Sequence, residues 1–149
     1  MITKLGKQKL EEKIKNLKAE LLTTYEKRSE AAEEGDLKEN SAYIAYGEQS
    51  HVLNAQIIEL VEDLKSSVVV GPPTQTDTVV FGSKITVRFE NDGRVNTFVL
   101  VGKNDARIFP DWISIDSPLG IATLNHKKSD KVEVNDQIVS ILDIAIGNI

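Results

Sequence analysis

No proline occurs before Pro72, and the apolar residues Leu10, Ile14, Leu17, Leu21 and Tyr25 recur at helical steps of three and four. That spacing lines one face of a long α-helix with a heptad seam. Lysine and glutamate fill the remaining faces, and the helix can run from Lys7 to about Glu34 without a breaker. A second set, Tyr46, Ser50, Leu53, Ile57, Leu60 and Leu64, repeats the pattern and requires a partner seam. Gly35 lies between the two sets, and a glycine in a left-handed conformation is a common way to stop a helix and reverse the chain. Folding back there sets Tyr25 against Tyr46, Ile14 against Ile57, and Leu10 near Leu60 or Val61. A helix of about 26 residues reaches roughly 40 Å, so the expected product is an antiparallel hairpin that presents its turn.

Gly71, Pro72 and Pro73 end the helical pattern, and the polar stretch after them reads as a linker over residues 72–77. The expected division is therefore a coiled-coil hairpin over 1–71 and a second domain over 78–149. In the second domain the period becomes two. Val79–Glu90 carries alternating Ile85, Val87 and Phe89, Asn91-Asp92-Gly93 is a hairpin turn, and Phe98 and Leu100 mark the return strand. Further strands fit Trp112–Asp116, Lys131–Val134 and Gln137–Ile146. Pro118–Asn125 suits a short helix with Ser117 as N-cap and Pro118 at its first position. The fold class is α+β.

Composition narrows function by exclusion. The chain of 149 residues has no cysteine, so disulfides, thiolate nucleophiles and cysteine-ligated zinc are out. His51 and His126 are far apart and make a poor metal set. A net charge of -5 gives no long-range attraction to duplex DNA, and no direct sequence-specific DNA binding is expected. No apolar run approaches the roughly 20 residues of a membrane span, and no secretory h-region follows Met1, so a cytoplasmic location is expected.

The chemistry concentrates at the turn. Residues 30–39 hold five carboxylates and one lysine. Asp36 as N-cap with Glu39 three residues on reads as an acidic capping box, favoured by the helix macrodipole. The same spacing places both carboxylates on one helical face, close enough to hold a divalent cation or orient its water. Both uses can coexist. Two carboxylates alone make a poor magnesium site, because magnesium takes six oxygens and releases its waters reluctantly. Such a turn makes chemical sense when it enters a pocket that already holds metal and phosphate.

The segment Gly35-Asp36-Leu37-Lys38-Glu39-Asn40, followed by Tyr43, resembles the tip motif of the bacterial Gre transcript cleavage factors (GreA/GreB). A second segment, Ile113-Ser114-Ile115-Asp116-Ser117-Pro118-Leu119-Gly120 with Ala122 and Leu124, resembles the other signature of that family. The resemblance covers nearly the whole chain. It implies an N-terminal antiparallel coiled coil and an FKBP-like C-terminal domain that docks on RNA polymerase, with Asp116, Ser117 and Pro118 as docking candidates. It further implies that the hairpin enters the polymerase secondary channel when the enzyme has backtracked. There Asp36 and Glu39 would be the catalytic, metal-holding pair, sharing a magnesium ion with the polymerase active centre, supported by Gly35, Asn40 and Tyr43. The chain would bind no cofactor stably by itself. It would be an activator of hydrolysis rather than an enzyme, acting on the nascent RNA 3′ end through the polymerase.

The sequence departs from the family pattern at three places: Ala42 stands where Glu is usual, and Ala32 and Gly47 stand where basic residues are common. Fewer cations mean fewer phosphate contacts. A Gre-like channel regulator that cleaves poorly is therefore one alternative, and a structural coiled-coil adaptor whose turn is only capped is another.

Overall fold

A computed structural model describes residues 1–35 and 39–149. The described elements are α1 (Lys4–Glu33), α2 (Ser41–Ser66), β1 (Ser83–Phe89), β2 (Val95–Val101), β3 (Trp112–Ser114), α3 (Pro118–Thr123), β4 (Lys131–Val134) and β5 (Gln137–Ile146). The chain is α+β, and it forms two units: residues 8–67, and residues 1–7 together with 68–149. The first seven residues thus lie with the sheet, whereas the sequence reading grouped them with the hairpin.

In the helical unit α1 and α2 run antiparallel. Asn40 reaches the carbonyl of Ala31, Arg28 reaches Tyr43, and Asn54 reaches Tyr25. The buried row of α1 is Leu10, Ile14, Thr24 and Ala31, with Leu17, Leu21 and Arg28 half-buried between them. Steps of four and three therefore continue past Leu21 to Thr24, Arg28 and Ala31, and Tyr25 falls outside the seam at 41% exposure. Thr24 tolerates burial because its hydroxyl donates to the Glu20 carbonyl at 2.9 Å. The expected Tyr25–Tyr46 pair is replaced by Tyr25–Asn54, with Asn54 Nδ2 donating to Tyr25 Oη at 3.3 Å. A long helical side chain leans toward its own N-terminus, and in an antiparallel pair that direction leads to higher residue numbers on the partner helix. On α2 the buried row is Gly47, Ser50, Leu53 and Ile57, so Gly47 holds the seam and Tyr46 flanks it.

The other unit is a five-stranded sheet of order β3-β2-β1-β5-β4, antiparallel except between β2 and β3. Its main core gathers Ile85, Val87, Leu100, Val139, Ile141 and Ile144, with Val79, Val132 and the inner face of α3. Strand alternation explains the pattern: Ile85 and Val87 face the core, while Lys84 and Arg88 face solvent. Leu142 is skipped in the β1–β5 pairing, where Thr86 faces Asp143 and Val87 faces Ile141. Asn135 and Asp136 both adopt positive φ, 49° and 65°, forming the tight turn from β4 to β5. Trp112 is buried with Phe81, Val99 and Val101, and Phe109 packs on its edge with ring centroids 4.9 Å apart.

A buried carboxylate closes this unit. Asp105 has no solvent exposure and accepts from Thr3 N (3.1 Å to Oδ2), Thr3 Oγ1 (2.7 Å) and Gly102 N (3.0 Å). Thr3 precedes α1, and its hydroxyl accepts from Gly6 N at 2.9 Å, the geometry of an N-cap. Residues 1–3 add one parallel bridge, with Ile2 N donating to Val68 O and Val70 N donating to Ile2 O, both at 2.9 Å.

Candidate functional site: the turn of the helical hairpin

α1 ends at Glu33, and Glu34 N donates to Ala31 O at 3.2 Å. Gly35 follows with φ 153°, a positive value that side-chain-bearing residues rarely adopt, although not the left-handed helical conformation expected from the sequence. Nothing lies within 4 Å of where a Gly35 Cβ would stand, so backbone conformation alone selects glycine there. Asp36, Leu37 and Lys38 lie outside the described residues, and so does the Asp36 half of the expected carboxylate pair.

Glu39 occupies the turn and is exposed. The capping box expected of this region is corrected at its second member. α2 begins at Ser41 with Asn40 as N-cap, so Glu39 precedes the cap instead of standing three residues inside the helix. Asn40 succeeds because one amide serves two helix ends. Its Oδ1 accepts from Tyr43 N at 3.1 Å, and its Nδ2 donates to Ala31 O at 2.6 Å. The first bond satisfies an orphan donor of α2, the second an acceptor at the end of α1. A carboxylate lacks the donor that the second bond needs.

Tyr43, one turn into α2, receives Arg28 from α1. Arg28 Nη2 donates to Tyr43 Oη at 3.1 Å, and the guanidinium carbon stands 4.5 Å from the ring centroid. Sequence reasoning passed over Arg28. The available signal was strict continuation of the seam spacing, which puts a cation at a seam position opposite Gly47. At this end of the hairpin Ala31 is buried and Ala32 half-buried, whereas Ala42 and Ala45 are exposed.

The second sequence signature sits in the sheet unit, and the structure accounts for its residue types. Ser117 caps α3: its Oγ accepts from Gly120 N at 3.1 Å and donates to Ser114 O at 2.6 Å. Pro118 takes the first helical turn. A Cβ on Gly120 would collide with Ser114 O and Ile115, so only glycine lets α3 pack that closely on the chain leaving β3. Asp116 and Pro118 are exposed, whereas Ser117 is half-buried and engaged in the cap. His51 and His126 fall in different units, and no group of three or more metal-ligating side chains gathers among the described residues. Nor, among those residues, is any helix long and apolar enough to cross a membrane.

Comparison with known proteins covers both units. The family described as "Transcription elongation factor, N-terminal" matches residues 1–69, and "Transcription elongation factor, GreA/GreB, C-term" matches residues 74–145. GreA from Thermotoga neapolitana is 31% identical over 134 residues, spanning 89% of this chain and 86% of that protein. GreA from Sphingopyxis alaskensis is 35% identical over 130 residues, spanning 87% and 82%. Among solved structures, Gfh1 of Thermus aquaticus is 21% identical with a TM-score of 0.45, covering 99% of this chain and 97% of that one. Both halves match in order, and relatives above 30% identity span most of the length, so the chain belongs to the GreA/GreB transcription elongation factor family.

Proposed function

We propose that this protein binds RNA polymerase in the cytoplasm, inserts its helical hairpin into the secondary channel, and stimulates endonucleolytic cleavage of backtracked nascent RNA so that elongation restarts. The observation that carries this reading is the division of labour at the turn. Asn40 performs the capping that the sequence also allowed Asp36 and Glu39 to perform, so the exposed Glu39 carboxylate is not consumed by the helix end.

In this reading Asp36 and Glu39 are the acidic pair, and the polymerase supplies the remaining oxygens and the phosphodiester. Carboxylate oxygens suit a hard divalent cation, and the described member of the pair is accessible to one. Magnesium shared with the polymerase would supply activation of water and neutralisation of charge on the leaving oxygen. Glu39 and Asp36 hold and orient, Asn40 fixes the chain immediately after Glu39, and Gly35 permits the reversal. The protein is an activator of another enzyme's hydrolysis. Asp116 and Pro118, exposed beside the α3 cap, are candidates for contact with the polymerase surface.

The direct experiment adds the protein to backtracked elongation complexes with magnesium and resolves the transcripts. Shortened 3′ ends followed by renewed elongation are expected. Polymerase binding without shortening would instead favour a channel regulator, the alternative suggested by Ala32, Ala42 and Gly47. Failure to bind polymerase would leave only a structural adaptor.

A further inference from the structure

Arg28 is out of place for stability. It occupies a seam position between Thr24 and Ala31, where an apolar side chain would pack without the cost of removing a cation from water. Its Nε is buried without a hydrogen-bond partner among the described residues. Gly47 faces it across the pair: a Cβ built there would meet Arg28 Cζ, Nε and Nη2 at ordinary contact distance, each 3.5 Å, so a small residue fits there and a long one does not. Near the turn the other seam residues, Ala31 and Gly47, are too small to interdigitate, whereas Leu10, Ile14, Leu53 and Ile57 lie farther along the hairpin. Apolar packing therefore leaves the phase of the two helices weakly specified where the turn begins. A single polar residue at a seam position is a known way to fix register at a cost in stability.

We propose that Arg28 is a positioning residue for Glu39. By donating to the Tyr43 hydroxyl and lying over its ring, it sets the rotation and axial register of the first turn of α2 against α1. Tyr43 N is bonded to Asn40 Oδ1, Asn40 Nδ2 holds Ala31 O, and Asn40 follows Glu39 directly, so the Arg28 grip acts together with the Asn40 tie in setting where Glu39 is presented. This inference rests on the proposed role of Glu39 in transcript cleavage and adds the residue that aims it.

Stability and activity should move in opposite directions in Arg28→Leu. In the full-length protein this change is expected to leave the melting temperature equal or higher and affinity for polymerase unchanged. Single-turnover cleavage at saturating factor should fall about tenfold or more, because small misplacements of a reacting group are costly. The magnesium concentration for half-maximal cleavage should rise. Arg28→Lys should recover part of the rate, since an ammonium group can still lie over the ring and donate to the hydroxyl. Tyr43→Phe, which keeps the ring and removes the acceptor, should fall between wild type and Arg28→Leu. Cleavage by Arg28→Leu within twofold of wild type would overturn the inference, as would a loss accompanied by lower melting temperature and no rescue by lysine. An Asp36→Ala/Glu39→Ala control separates the two levels. If that control cleaves normally, the functional reading itself fails; if it is inactive while Arg28→Leu is normal, only the positioning role fails.

Discussion

The side-chain amide of Asn40 donates to the carbonyl of Ala31 at 2.6 Å, joining the end of one helix to the cap of the next. Since its carbonyl also caps α2 through Tyr43 N, one residue closes both ends across the reversal. Asn40→Ala should remove both bonds and cost about 1–2 kcal/mol, as loss of a capping side chain does. Asn40→Asp retains the acceptor and loses the donor, so it should cost less than alanine. Urea unfolding monitored by circular dichroism ranks the three proteins.

Gly47 lies inside α2, where glycine is about 1 kcal/mol less favourable than alanine. The space beside it ends on the Arg28 guanidinium at ordinary van der Waals distance, 3.5 Å. Gly47→Ala is therefore expected to stabilise the protein by up to about 1 kcal/mol. Gly47→Leu should displace Arg28 and lose that benefit. Thermal melts of the two variants, with the Arg28 side-chain resonances followed by NMR, check both outcomes.

Much of the architecture could be read from residue order. Two heptad sets flanking Gly35 specify a hairpin, and the change of period after Pro73 specifies strands, because periodicity records which face is buried. The Tyr25 assignment missed because an aromatic one place from a seam looks like a seam residue, while the correct Thr24 is disguised by its hydroxyl. The capping box missed at Glu39 because Asp, Asn, Ser and Thr all cap helices, and choosing among them depends on the Ala31 carbonyl, a contact across the turn. Asp105 gave no local signal at all. Gly102 stands three residues away in a local turn, but the defining partner Thr3 is brought in only by folding, 102 positions distant.

Removing that buried carboxylate should release the N-terminal segment. Asp105→Ala strands the Thr3 and Gly102 amide donors and is expected to cost about 2–4 kcal/mol in the sheet unit. Gly6→Ala attacks the same locus from the other side, because its Cβ would collide with the Asp105 carboxylate. Both variants should show accelerated amide exchange at Thr3 and Val70, which wild type protects through Asp105 and Ile2.

Glu90, in the sheet unit, carries a pH dependence. The Ser140 hydroxyl, donating at 2.5 Å, and then Arg88 hold its carboxyl below the ordinary glutamate range. A carboxyl depressed in the folded state contributes stability that is fully present above its unfolded value and is lost as pH falls through its folded value. NMR titration should place Glu90 below an ordinary glutamate, and Ser140→Ala should shift it upward. An unchanged titration in that variant would remove the hydroxyl as the leading cause.

The decisive measurement is single-turnover transcript cleavage by backtracked RNA polymerase, comparing wild type with Asp36→Ala/Glu39→Ala at concentrations where both saturate the polymerase. Loss of groups that stabilise developing charge at the reacting phosphate should lower the rate by on the order of 100-fold while binding persists. Equal cleavage by the two proteins, with binding verified, would contradict the account.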